Sequence, residues 1–126
     1  MTVQAMLKSE TDIKIIADKI NKELNKKKIL MEKENSAMIM CILEYMKDQY
    51  KEEDKTISSL IKCVDLMNMD ELHPEIGNIF DVIVKEYENN PKSLWVERYK
   101  DFKNSVSPKK MNRICFSLKL GLMQIA

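Results

Sequence analysis

Arg98, Lys100, Lys103, Lys109, Lys110 and Arg113 fall within sixteen residues, interleaved at their start with Trp95, Tyr99 and Phe102. Cations at this density neutralise phosphates without reading sequence, and aromatic faces stack on unpaired bases. These six residues are therefore the candidate partner- or nucleic-acid-binding set. The aromatics, however, stand at i, i+4 and i+7, which is one face of a helix, and such a face packs inward more often than it binds bases. The net charge of +1 hides a segmented distribution. Residues 1–30 carry seven lysines against four acids (+3), residues 31–91 six lysines against fourteen acids (−8), and residues 92–126 eight cations against two acids (+6). A chain so divided either offers a basic face to an acidic partner or pairs its own acidic and basic helices; the second is the simpler expectation.

Catalytic and metal-binding patterns are sparse. There is one histidine, His73, with no GxSxG or HExxH around it, so neither a serine triad nor a zinc hydrolase has its parts. The only glycines, Gly77 and Gly121, are too far apart for a phosphate-binding P-loop. Cys41, Cys63 and Cys115 are odd in number, lack CxxC spacing and lie inside apolar stretches. That is the pattern of buried free thiols in a reducing compartment rather than of disulfides or metal ligands. The expectation is a chain with no catalytic residues, no metal and no cofactor of its own. Met38, Met40, Met46, Met67, Met69, Met111 and Met123 lie mostly within apolar stripes and read as core rather than as an adaptable surface.

The elements that would position these residues are helical. Two glycines and three prolines in 126 residues are too few for a turn-rich sheet fold. The centre of the chain is AMIMCILEYM, Ala37 to Met46, where only Glu44 is not apolar. Ten residues are too short to span a bilayer and do not alternate, so the run reads as a helix buried on most sides. The predicted fold is all-α: a compact bundle of about six to seven helices around a buried central helix over about 29–50, in a single domain spanning 1–126. Met1 to Lys8 reads as a lead-in. A first helix is expected over about 10–24, capped by Ser9, and a third follows Thr56 with the stripe Ile57, Leu60, Ile61, Val64 and Met67. Pro74, Pro91 and Pro108 each stand where a proline can open a helix, after His73, Asn90 and Ser107. The expected stripes of those helices are Ile76, Ile79, Phe80, Ile83, Val84 and Tyr87; Leu94, Trp95, Tyr99, Phe102 and Val106; and Met111, Ile114, Cys115, Leu118 and Leu122. No signal peptide or transmembrane span is evident, so a cytoplasmic location is expected.

The order of motifs resembles a known family. Ser9-Glu10-Thr11-Asp12 precedes a helix, Glu32-Lys33-Glu34 opens the long apolar helix, and the acidic Glu52-Glu53-Asp54 leads into a short one. Phe80 sits in the next helix. The stretch Asn-Pro-Lys-Ser-Leu-Trp-Val-Glu-Arg-Tyr-Lys-Asp-Phe-Lys at 90–103 then precedes a basic helix with Ile114 and Leu118. Across residues 7–122 this is similar to the all-alpha domain of type IV secretion coupling proteins, the TraG/TraD/VirD family of conjugation ATPases, in its Gram-positive form. Val96, Tyr99, Lys100, Phe102 and Lys103 carry the most specific part of the likeness. Relatives have Pro-Phe-Trp where this chain has Ile29-Leu30-Met31.

The resemblance implies a domain excised from a RecA-like ATPase, a membrane-anchored hexamer at the cytoplasmic face that uses ATP and Mg to deliver relaxase-bound single-stranded DNA. It further implies that this domain recognises relaxase, relaxosome accessory or other secreted proteins. The chain itself is expected to be monomeric and not an enzyme. Two alternatives stand beside this reading: a nonspecific single-stranded-DNA-binding helical domain, and an unrelated small helical adaptor whose groove takes a partner helix.

Overall fold

The computed structural model describes residues 1–28 and 33–126. Among them are seven α-helices and no strand. They are α1 (Val3–Ser9), α2 (Ile13–Lys26), α3 (Asn35–Gln49), α4 (Ile57–Leu66), α5 (Ile79–Tyr87), α6 (Leu94–Asn104) and α7 (Pro108–Ile125). Helix α3 lies at the centre and packs against α2, α4 and α6. Helix α7 covers α4 and α2, α1 covers α2 and α4, and α5 packs on α4.

The near-continuous apolar run explains the centre. Met38, Ile39, Cys41, Ile42, Leu43, Tyr45 and Met46 of α3 are all buried, and they point in most directions around the helix. A helix apolar on most of its sides must be wrapped on those sides, and its neighbours supply one apolar stripe each. Ile16, Ala17, Ile20 and Leu24 come from α2, and Leu60, Cys63 and Val64 from α4. Met111, Ile114, Cys115, Leu118 and Leu122 come from α7. The expected start of the central helix at Ile29 lies outside the described residues; Lys33 and Glu34 form a turn, and α3 begins at Asn35.

Three local expectations differ from the structure. The first eight residues are not a lead-in. Thr2 caps α1 by accepting from the Ala5 amide (3.1 Å), and α1 buries Val3, Met6 and Leu7. Gln4 then clamps the start of α4, its Oε1 accepting from the Ile57 amide (3.0 Å) while its Nε2 donates to the Lys55 carbonyl (3.3 Å). About two helical turns are too short to announce themselves by periodicity; tertiary packing fixes them. Ser9 closes α1, its hydroxyl donating to the Ala5 carbonyl (2.9 Å), and Asp12 caps α2 instead.

Two of the three prolines do not open the long helices that follow them. Pro74 begins a single 3-10 turn, Pro74–Ile76, which Gly77 ends with φ +78°. Helix α5 starts after Asn78, where a capping box wins: the Asn78 side chain accepts from the Asp81 amide (2.8 Å) while Asp81 accepts from the Asn78 amide (2.9 Å). His73 has no comparable side chain to offer. Pro91 lies in a turn in which Asn90 accepts from the Lys92 amide (3.0 Å), and α6 begins at Leu94. Ser107 and Thr56 behave as expected, accepting from the amides of Lys110 (3.1 Å) and Ser59 (3.0 Å).

Candidate functional site

The six cations of the candidate set are spread along α6 and α7, and the structure engages most of them within the fold. The Arg98 Nε donates to Glu44 at 2.6 Å, and Glu44 is the one charged residue in the apolar run of α3. Lys100 faces Glu88 at 3.4 Å, Lys103 reaches Asp81 at 2.5 Å, and Lys110 donates to Glu34 at 2.8 Å. Lys119, outside the set, pairs with Asp65 at 3.0 Å. Lys109 and Arg113 lie on the exposed side of α7. The basic third of the chain thus lies against its acidic middle, joining elements far apart in sequence.

Trp95, Tyr99 and Phe102 do not form a stacking platform. All three are buried. The Trp95 ring meets Tyr45, Phe80 and Tyr87 edge-on, with centroids 4.9, 5.8 and 5.4 Å away, a preferred aromatic geometry. Its Nε1 escapes burial unpaired by donating to Asp48 (2.8 Å), which also accepts from the Ser93 hydroxyl (3.2 Å). Tyr99 stacks obliquely on Phe80 and donates to Asp81 (2.8 Å).

Asp81 is the densest polar junction. Tyr99 reaches one of its oxygens; Lys103 and the Asn78 amide reach the other. Asn78 is itself tied to α4 by its Nδ2, which donates to the Met67 carbonyl (3.0 Å). Burial pushes the Asp81 carboxyl up, but the Lys103 ammonium, the Asn78 amide and the Tyr99 hydroxyl together outweigh it and hold it below the usual aspartate range. Burial, and then the Asp81 carboxylate, push the Tyr99 hydroxyl well above its ordinary value. This is a structural junction between α4, α5 and α6.

The cysteines are buried and free. Burial pushes the thiols of Cys41 and Cys115 up to about 12 and raises that of Cys63, so they behave as small apolar side chains rather than nucleophiles. Among the described residues no three His, Cys, Asp or Glu side chains gather as a metal set. A recess of about 90 Å³ lies over Leu7, Ile13, Ile16, Leu43 and Met46, and wider surface depressions of about 480 and 350 Å³ lie over Val3, Lys19, Glu23 and Ile125 and over Glu88, Pro91, Leu94 and Glu97. Among the described residues no helix is long and apolar enough to cross a membrane.

The surface feature that sequence reading missed is apolar. Leu72, Ile76, Ile79 and Val82 are 86%, 71%, 62% and 62% exposed, although Ile76 and Ile79 were expected on the buried stripe of their helix. A helix opened by Pro74 would place them there; Ile76 instead ends the 3-10 turn outside α5, Ile79 is the exposed first residue of α5, and Phe80 and Val84 take the core. A second group, Phe116, Leu120 and Met123, runs along the outer side of α7. Both groups have helical spacing in part, so the signal was present, but periodicity alone does not say which of two apolar faces turns inward. Compared with protein families, with curated proteins and with solved structures, the chain matches none.

Proposed function

We propose that this chain is a protein-recognition domain, of the kind its sequence resembles: the substrate-docking all-alpha domain of a conjugative type IV secretion coupling protein. Its partners would be the relaxase and relaxosome accessory proteins, and its parent a DNA-translocating ATPase. One observation carries the preference for a protein partner over a nucleic acid. Four cations of the basic cluster are engaged by the chain's own acids and the interleaved aromatics lie in the core, while large aliphatic side chains stand in solvent between residues 72 and 82. Cations held by carboxylates have less to gain from phosphates, and stacking needs exposed rings. Exposed aliphatics close together in the chain are what protein interfaces bury.

A pull-down against relaxosome proteins and a labelled single strand, at low and physiological salt, tests the reading. Protein capture that persists at physiological salt, with DNA retained only at low salt, is the expected result. Single-strand binding that survives physiological salt and weakens on Lys109→Glu with Lys110→Glu, without capture of protein, would replace it with the strand-guiding alternative.

A further inference from the structure

Between Lys62 and Lys85 the chain has no lysine or arginine but five acids, Asp65, Asp70, Glu71, Glu75 and Asp81. Two of these are neutralised inside the fold, Asp65 by Lys119 and Asp81 by Lys103. The other three bracket the exposed aliphatics: Asp70 and Glu71 precede Leu72, and Glu75 precedes Ile76. Among the described residues, Asp70 accepts from the backbone amides of Leu72 (2.9 Å) and His73 (3.2 Å). Glu71 accepts from the Asn112 side chain (3.1 Å), and the one imidazole nearby, His73, stands 3.6 Å from Glu75. Leu72 and Ile76 therefore stand beside carboxylates that meet no lysine or arginine among the described residues, while Ile79 and Val82 continue the apolar side chains toward Lys85.

The backbone beneath them is fixed. Asn112 of α7 brackets Met69, accepting from its amide (2.7 Å) and donating to its carbonyl (2.8 Å). The 3-10 turn closes through Ile76 N to His73 O (3.1 Å) and Gly77 N to Pro74 O (3.2 Å), and the Asn78–Asp81 capping box anchors α5. Apolar side chains held outward by an ordered backbone lose less entropy on binding than those on a slack loop. By contrast, the Phe116–Leu120–Met123 stripe has nothing beside it that names a partner.

We infer that Leu72, Ile76, Ile79 and Val82, with Asp70, Glu71 and Glu75 at their edge, form a docking face for a basic amphipathic helix of a partner protein. The carboxylates select the occupant. They repel the phosphates of nucleic acid and the anionic headgroups of a membrane surface, and they favour lysine and arginine flanking an apolar stripe. A helix suits the face because one apolar side with charges along its margins covers aliphatics and carboxylates together. This inference rests on the protein-recognition reading and specifies its chemistry.

The test titrates the isotope-labelled full chain with an amphipathic leucine–lysine helical peptide and with its leucine–glutamate counterpart, following amide shifts by NMR. The expected result is saturable shifts centred on residues 70–86 with the lysine peptide only, weakening as salt rises. Affinity should fall about ten-fold or more in Ile79→Ser with Val82→Ser, and also in Glu71→Lys with Glu75→Lys. These positions are exposed, so the variants keep the fold, which the unperturbed remainder of the spectrum checks. In the titration, four results overturn the inference: shifts centred on Phe116–Met123, equal binding of both peptides, no saturable shift, or concentration-dependent changes at 70–86 in the free chain, which would make a second copy the occupant. If the Ile79→Ser with Val82→Ser chain still captures relaxosome proteins at full strength, the domain reading stands and this face is not its docking surface.

Discussion

Asp81 gathers three donors, the Asn78 amide from its own helix cap and Tyr99 and Lys103 from α6, and its carboxylate is held ionised by them. Asp81→Asn keeps the shape but removes the charge that Lys103 and the buried Tyr99 hydroxyl are arranged around. A loss of about 1–3 kcal/mol at neutral pH is expected from denaturant unfolding. The sign of the pH dependence follows from the lowered carboxyl value. A depressed folded value contributes stability that is fully present above the ordinary aspartate range, near pH 4, and is lost as pH falls through the lower folded value. The difference between native and Asp81→Asn chains should therefore shrink on acidification below about pH 4, and a constant difference down to pH 2 would contradict the assignment. Trp95 makes a second residue-scale case. Trp95→Phe keeps much of the ring contact but drops the bond to Asp48, at about 1 kcal/mol, whereas Trp95→Ala leaves a cavity among Tyr45, Phe80 and Tyr87 at about 3–5 kcal/mol. As Trp95 is the sole tryptophan, fluorescence during unfolding reads both.

At the scale of elements, the start of α5 is set by two adjacent residues. Gly77 adopts φ +78°, and a Cβ there would stand 2.2 Å from an Asp81 carboxylate oxygen. Gly77→Ala thus meets both a disfavoured backbone conformation and the cap itself, with an expected loss of about 1–3 kcal/mol in thermal or denaturant melts. Asn78→Ala, which removes the cap and the tie to Met67, should cost about as much; an Ala at 77 without effect would mean the cap readjusts freely. Thr56 and Ser107 were legible as caps because a hydroxyl residue directly before an apolar-periodic run is a local signal with a local outcome. Pro74 and Pro91 were not. A proline suits the first turn of an α-helix and a lone 3-10 turn equally well, and the choice at Pro74 was made by Gly77 and Asn78 beyond it. Helix α1 was illegible for a different reason: its three buried residues are too few to form a pattern and matter only against α2 and α4.

Across the whole molecule, the acidic middle and the basic end of the chain meet as ion pairs between elements rather than as two external faces. These pairs are partly exposed, so each contributes little: a double-mutant cycle on Arg98 and Glu44 should return a coupling of about 0.5–1 kcal/mol, falling with salt. The swap Arg98→Glu with Glu44→Arg should then be more stable than either single change, and a coupling near zero would assign the pair to position rather than energy. What the pairing does instead is leave the surface charge uneven. Where cations of α6 and α7 reach, acids are neutralised; at residues 70–75 they do not reach, and the exposed aliphatics lie there.

Sequence by itself determined the fold class, the central position of Ala37–Met46, the core role of Trp95, Tyr99 and Phe102, and the buried character of the three cysteines. All of these follow from apolar periodicity and run length, which act within a few turns of one helix. The tertiary structure decided which cations of the basic cluster are neutralised and which apolar side chains are left outside. Both outcomes depend on partners tens of residues away, such as Glu44 for Arg98 and Asn112 for Met69. Burial is a property of the assembled surface, and a stripe read along one helix does not reveal whether another helix arrives to cover it.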